Sequence, residues 1–175
     1  MRAWAYVVAV MLLACGPPEA HYVISVGGGG ELPRGLTGCT HAASPAVRFV
    51  TPERYLGIAP GVARLTCTDR NVVLDVREPA RIVIDAAPTV PNTNLVFSID
   101  AYDASGVALD LGEGAAITWS FGGSLASRAY PGCGDILPIC LPHNDGFASV
   151  LAPGPGTIDA TFHGLHAHAT TTVLR

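Results

Sequence analysis

Leu95, Phe97, Ile99 and Ala101 alternate with Val96, Ser98, Asp100 and Tyr102. This period of two places successive side chains on opposite faces of a half-buried strand. Ile117, Trp119 and Phe121 repeat the pattern, as do Ile158, Ala160 and Phe162. Near the end of the chain Ala167, Ala169, Thr171 and Val173 fall on one face and His166, His168, Thr170 and Thr172 on the other. Arg81–Asp85 is a further β-type run, and Asp103-Ala104-Ser105-Gly106 and Pro153-Gly154-Pro155-Gly156 read as turns. Strands at this spacing, with turn signals between them, predict an all-β sandwich over 79–175. The inward faces nominate Phe97, Ile99, Ile117, Ile158 and Phe162 as core.

Shorter β-type runs precede it at Val47–Val50, Val62–Cys67 and Asn71–Val76, separated by Pro52, Pro60-Gly61 and Asp69-Arg70-Asn71. Residues 39–78 read as a small β-subdomain. About forty residues cannot build a stable core alone and need a covalent staple or a neighbour to pack on. A repeat relating this region to its neighbour is too faint in the sequence to assert. Residues 15–38 read as a flexible tether, with Pro17-Pro18, Gly27-Gly28-Gly29-Gly30, Pro33 and Gly35. Some twenty such residues would have an r.m.s. reach of roughly 25 Å. Within them Tyr22–Val26 has the composition of a short strand that nothing forces to pair.

The order Ile99-Asp100-Ala101-Tyr102-Asp103 with Gly106, then Ile117-Thr118-Trp119-Ser120, then Gly156-Thr157-Ile158-Asp159-Ala160-Thr161 and a final Thr172-Val173 resembles a bacterial immunoglobulin-like domain of group 2. Domains of that family build the stalks of invasin- and intimin-like adhesins and occur in other envelope proteins. The resemblance covers the C-terminal part of the chain and implies an immunoglobulin-like sandwich with Trp119 in its core. Residues 130–144 depart from the family's compact pattern, and an elaborated loop at a sandwich end is where a binding surface can sit.

The amino-terminal segment changes the picture of where such a domain resides. Arg2 is followed by an apolar stretch, Ala3–Ala14, which as a helix would rise only about 18 Å against a bilayer core of about 30 Å. Its layout is that of a signal peptide over 1–14. Leu12-Leu13-Ala14-Cys15 resembles a bacterial lipobox, which implies a diacylglyceryl group on the Cys15 thiol and cleavage just before it. Each buried acyl CH₂ would contribute about 0.8 kcal/mol to anchoring. Gly16 is not the aspartate that in some bacteria retains lipoproteins at the inner membrane, so the resemblance leans to the outer membrane.

The remaining cysteines, Cys39, Cys67, Cys133 and Cys140, form an even set, which in an exported chain reads as two disulfides. Three pairings are open. Locality favours Cys39–Cys67 and Cys133–Cys140, whose loop closures would contribute roughly 3.5 and 2.5 kcal/mol. Zinc at Cys133, Cys140 and His143 is disfavoured, because no closely spaced Cys pair is present and the compartment is oxidising.

Composition narrows function mainly by exclusion. All ten basic residues are arginine, against fourteen acids. That balance argues against a nucleic-acid partner, which needs a basic stripe. The missing lysine removes P-loop and Schiff-base chemistry. Gly122-Gly123-Ser124-Leu125-Ala126 touches the nucleophile-elbow pattern but lacks the following helix and the final glycine. Asp100, Asp103 and Asp110 do not have the spacing of a calcium loop. His166 and His168 share a strand face and are the one candidate pair for a divalent metal; His163 has the opposite parity.

The expectation is therefore a non-catalytic envelope lipoprotein with no cofactor. Its immunoglobulin-like domain would be an interaction or spacer module for adhesion or surface display, with a protein or glycan partner. The competing expectations are a structural accessory subunit of an envelope complex and a periplasmic metal- or carbohydrate-binding protein.

Overall fold

The computed structural model describes residues 18–32, 36, 38–112, 115–128 and 145–175. Among them there are strands and no helix. The first seven strands are β1 (Glu19–Ser25), β2 (Gly29–Glu31), β3 (Thr40–His41), β4 (Val47–Phe49), β5 (Arg54–Gly57), β6 (Gly61–Thr66) and β7 (Asn71–Arg77). They form one sheet in the order β1-β7-β6-β3 and a second in the order β2-β5-β4. Ile24, Leu65, Val72, Leu74 and Val76 fill the space between them, each at most 1% exposed.

The second unit has β8 (Arg81–Asp85), β9 (Thr89–Val90), β10 (Leu95–Tyr102), β11 (Ala108–Leu109), β12 (Thr118–Gly123), β13 (Leu125–Ser127), β14 (Gly146–Val150), β15 (Gly154–Phe162) and β16 (Leu165–Val173). One sheet runs β12-β15-β16-β9. The other runs β11-β10-β14-β13, with β8 also on β10. Its core holds Phe97, Ile99, Ala148, Ile158, Ala160 and Phe162.

The two units share one wiring plan. In each, the first strand of the four-stranded sheet lies parallel to the last strand, β1 on β7 and β9 on β16. In each, the last two strands are an antiparallel pair. Replacing β12, β15, β16 and β9 by β3, β6, β7 and β1, and β10, β14 and β13 by β2, β5 and β4, converts one topology into the other. The described residues thus form two immunoglobulin-like sandwiches in series, the first smaller, the second carrying β8 and β11 in addition.

This alters the expected layout in three places. The first unit begins at β1, so 19–31 is two strands joined by a turn at 26–28 and not free tether. Ile24, Val26 and Leu32 are buried in its core. The glycine run owes its composition to close packing: a Cβ on Gly29 would stand 2.5 Å from the Tyr55 carbonyl oxygen, and one on Gly28 would stand 2.9 Å from that of Leu111. The stretch Gly154-Pro155-Gly156 is strand, paired with Gly156↔Thr171 through Gly154↔Val173. Pro155 is tolerated because the ladder to β12 has already ended at Gly123↔Gly156. Lastly, Trp119 and Ile117 are half-buried and pack on the margin of the core. The Trp119 ring lies against Gly146, where a Cβ would come within 2.7 Å of its Cε3.

Candidate functional site

Two features stand out from the two sandwiches, the joint between them and the outward face of β12-β15-β16. The joint starts from a short connection, Glu78-Pro79-Ala80, between β7 and β8. The Ala80 amide donates to the Tyr102 carbonyl at 2.8 Å, and the Arg81 guanidinium stacks 4.4 Å above the Tyr102 ring. The loop after β11 then adds to β1: the Asp110 amide donates to Val23 O at 2.9 Å and the Ser25 amide to Asp110 O at 3.0 Å. The Gly29 amide donates to Leu111 O at 3.1 Å. Gly112, at φ +57°, lies so close to Gly29 that a Cβ there would run into its carbonyl oxygen. Only glycines allow two backbones to meet this way.

Charge closes the same joint. Arg77 at the end of β7 donates from Nε and Nη2 to Asp75 Oδ2 at 2.9 and 2.7 Å, and from Nη1 to Asp103 Oδ2 at 2.7 Å. Asp103 is itself built into a turn, its Oδ1 accepting from Ser105 N, Ser105 Oγ and Val107 N at 2.7–2.9 Å. The Ser105 hydroxyl first, and the Arg77 guanidinium second, hold the Asp103 carboxyl well below the usual carboxylate range. Burial, and then the Asp110 carboxylate across the joint, push the Tyr55 phenol up to about 12. His163 and Gly164 form the two-residue turn between β15 and β16, both at positive φ. His163 Nδ1 lies 3.1 Å from Glu78 Oε1 in the connection.

The outward face of the second unit follows from strand parity. Phe162↔Leu165 flanks the two-residue turn, so Thr161 stands opposite His166 and Asp159 opposite His168. Thr118 and Ser120 of β12 pair with Thr161 and Asp159 and complete the face. His166 Nδ1 is 3.0 Å from Thr161 Oγ1, and His168 Nδ1 is 2.8 Å from Asp159 Oδ1. Both imidazoles are exposed.

The other nominated residues are placed as follows. Cys39 and Cys67 are joined, at the ends of β3 and β6. Cys15, Cys133, Cys140 and His143 lie outside the described residues, as does the loop 130–144. Phe97, Ile99, Ile158 and Phe162 are buried core. Asp103 and Asp110 are taken up in the joint, and Asp100 projects from the opposite sheet. Ser124 turns β12 into β13, so no helix follows it. Among the described residues, no three or more His, Cys, Asp or Glu are grouped to share a metal ion. Clefts at Tyr55–Arg54 and at Ala42–Pro45, of about 200 and 260 Å³, are shallow. The joint itself was missed from sequence, since Arg77 and Asp103 are 26 residues apart with no periodic signal.

No family model matches this sequence, and no curated protein matches it. Among solved structures, domains 4 and 5 of the S-layer protein SbsC share 12% identity over 78% of this chain and 75% of that one, with a TM-score of 0.39. Invasin, described as a bacterial integrin-binding protein, shares 13% over 82% of this chain and 34% of that one, at 0.37. A family 2 glycosyl hydrolase from Bacteroides cellulosilyticus shares 15% over 67% and 19%, also at 0.37. The chain spans about a third of the invasin structure and a fifth of the hydrolase. These are similarities of strand arrangement, shared by host proteins of different kinds.

Proposed function

We propose that this chain is a non-catalytic envelope lipoprotein, held to a membrane by a lipid on Cys15, whose two sandwiches form a spacer or interaction module for adhesion or surface display. The observation that carries the reading is the joint. Domains in one chain usually move relative to each other. Here a three-residue connection, backbone bonds from 110–111 to β1 and β2, and the Arg77–Asp103 pair fix one sandwich on the other. A stiff post is what a spacer requires.

The lipobox resemblance supplies the anchor, and the position of β1 sets its geometry. Cys15 and Glu19 are four residues apart, so their Cα atoms are separated by at most about 14 Å. A lipid on Cys15 would therefore hold the first sandwich against the bilayer, with the Cys39–Cys67 end facing it and the second sandwich projecting away. Gly16 favours the outer membrane, and the acidic, lysine-free composition supports a protein or glycan partner over nucleic acid.

Mass spectrometry of the membrane-fraction protein, with protease shaving of intact and lysed cells, tests this. The reading expects an acylated Cys15 amino terminus and loss of membrane association in Cys15→Ser. An unmodified Cys15 in a soluble parent protein refutes the anchor. Cleavage on intact cells supports surface display, whereas protection until lysis overturns it.

A further inference from the structure

We propose that His166 and His168 form a two-imidazole chelate for a borderline divalent cation, Cu²⁺ above Zn²⁺, on the outward face of the second sandwich. The chemistry starts from spacing. Residues two apart on a strand project from the same face, roughly 7 Å apart along it. Both side chains are exposed on β16, which leaves them open to an ion that needs each donor nitrogen at about 2.0–2.1 Å.

The cross-strand partners decide which nitrogen is offered. A carboxylate accepts hydrogen bonds and cannot donate them. Asp159 Oδ1, 2.8 Å from His168 Nδ1, therefore selects the tautomer protonated at Nδ1 and leaves the Nε2 lone pair free. Thr161 Oγ1, 3.0 Å from His166 Nδ1, is a hydroxyl that both donates and accepts, so it is compatible with the same tautomer without selecting it. A metal-binding histidine whose second nitrogen donates to a carboxylate is oriented and made more basic by it. Here the partners are already in place, set by the register of β15 on β16.

The surrounding face suits a cation. Its other strand positions are Thr118, Ser120, Thr157 and Thr170, with Asp159 the charged group among them. His163, held at Glu78 beyond the turn, is not a third ligand. Two protein nitrogens leave the remaining positions to water. That gives micromolar rather than nanomolar affinity, with Cu²⁺ tightest of the first-row divalent ions.

The test is titration of the full chain in detergent with Cu²⁺ alone, followed by calorimetry and electron paramagnetic resonance. The proposal expects one ion per chain whose spectrum carries hyperfine structure from two imidazole nitrogens. His166→Ala and His168→Ala should each weaken binding at least about tenfold, and Zn²⁺ should bind more weakly. Asp159→Asn, a change to a positioning residue, should weaken it about tenfold with both nitrogens still bound. His21→Ala and His41→Ala should leave it unchanged. Parent-like binding in the His166→Ala/His168→Ala double variant overturns the site, and a one-nitrogen spectrum overturns the chelate. Unchanged affinity in Asp159→Asn overturns the orienting role.

Discussion

Replacing Gly29 by alanine separates a packed glycine run from a flexible one by the size of its effect on stability. In a flexible segment Gly→Ala leaves stability nearly unchanged, because the residue is as free in the folded chain as in the unfolded one and loses no conformations on folding. In this structure Gly29 is buried, and its new Cβ would stand 2.5 Å from Tyr55 O and 3.3 Å from Leu56 Cα. Both are backbone atoms of β5, so relief requires moving a strand. Overpacking of this kind costs about 1–3 kcal/mol. The φ of Gly29 is not in the left-handed region, so backbone strain does not confuse the comparison. For a unit of this size the penalty lowers the melting temperature by roughly 5–20 °C. Scanning calorimetry of the full chain measures it, with Gly30→Ala as the control. There the Cβ would meet only side-chain atoms of Tyr55, its hydroxyl at 3.2 Å and its Cζ at 3.5 Å, and no backbone. A Gly29→Ala protein that melts at or above the parent temperature would refute the packed reading.

Three further outcomes follow from the geometry. Cys39 and Cys67 close a loop of 28 residues, so reduction, or Cys39→Ser with Cys67→Ser, should lower the stability of the first sandwich by about 3.5 kcal/mol, read by urea unfolding. The Asp103 carboxyl is held below its unfolded value of about 3.9. Its contribution is therefore complete above that pH and is lost as pH falls through the folded value. Asp103→Asn should destabilise by a constant amount from pH 5 to 7, the gap to the parent shrinking below about pH 4; a gap independent of pH would count against the Arg77–Asp103 contact. Trp119 rests on Gly146, so Gly146→Ala should destabilise by about 1–3 kcal/mol in the parent and much less in a Trp119→Ala background. Strictly additive effects would show that the two residues do not touch.

How much of this was legible depended on side chains showing period two. β10, β15 and β16 are long, with one face buried and the other exposed, and they stand out. β1 does not, because its last residues are covered on both faces: Ile24 enters the first core while Val23 packs against the second. Two of the three residues of β2 are glycine, and a residue whose role is to lack a side chain looks like slack in a sequence. β14 starts at Gly146, whose smallness serves Trp119, so its pattern is broken at the first position. The histidine face was readable from parity alone. Asp159 and Thr161 as its partners become readable only once the hairpin turn is fixed at His163-Gly164, since that fixes every pair behind it. Nothing in the sequence links Arg77 to Asp103, because the contact belongs to the docking of two units.

The parallel pairing of β1 with β7 bears on how the chain would carry tension. The chain enters the first sandwich at Glu19 and leaves it at Arg77, at opposite ends of a seven-pair parallel ladder. A pull between a fixed amino terminus and the second sandwich slides these strands lengthwise, straining all the rungs together. An antiparallel hairpin pulled at its open end would unzip rung by rung. In the second sandwich the corresponding ladder has two pairs, Thr172↔Thr89 and Val173↔Val90. Behind the longer ladder, the Cys39–Cys67 bridge keeps the 28-residue loop from paying out even after the sheets part. Under tension applied across both units, the second sandwich with its two-pair ladder would give first, and the first would yield the shorter length of chain.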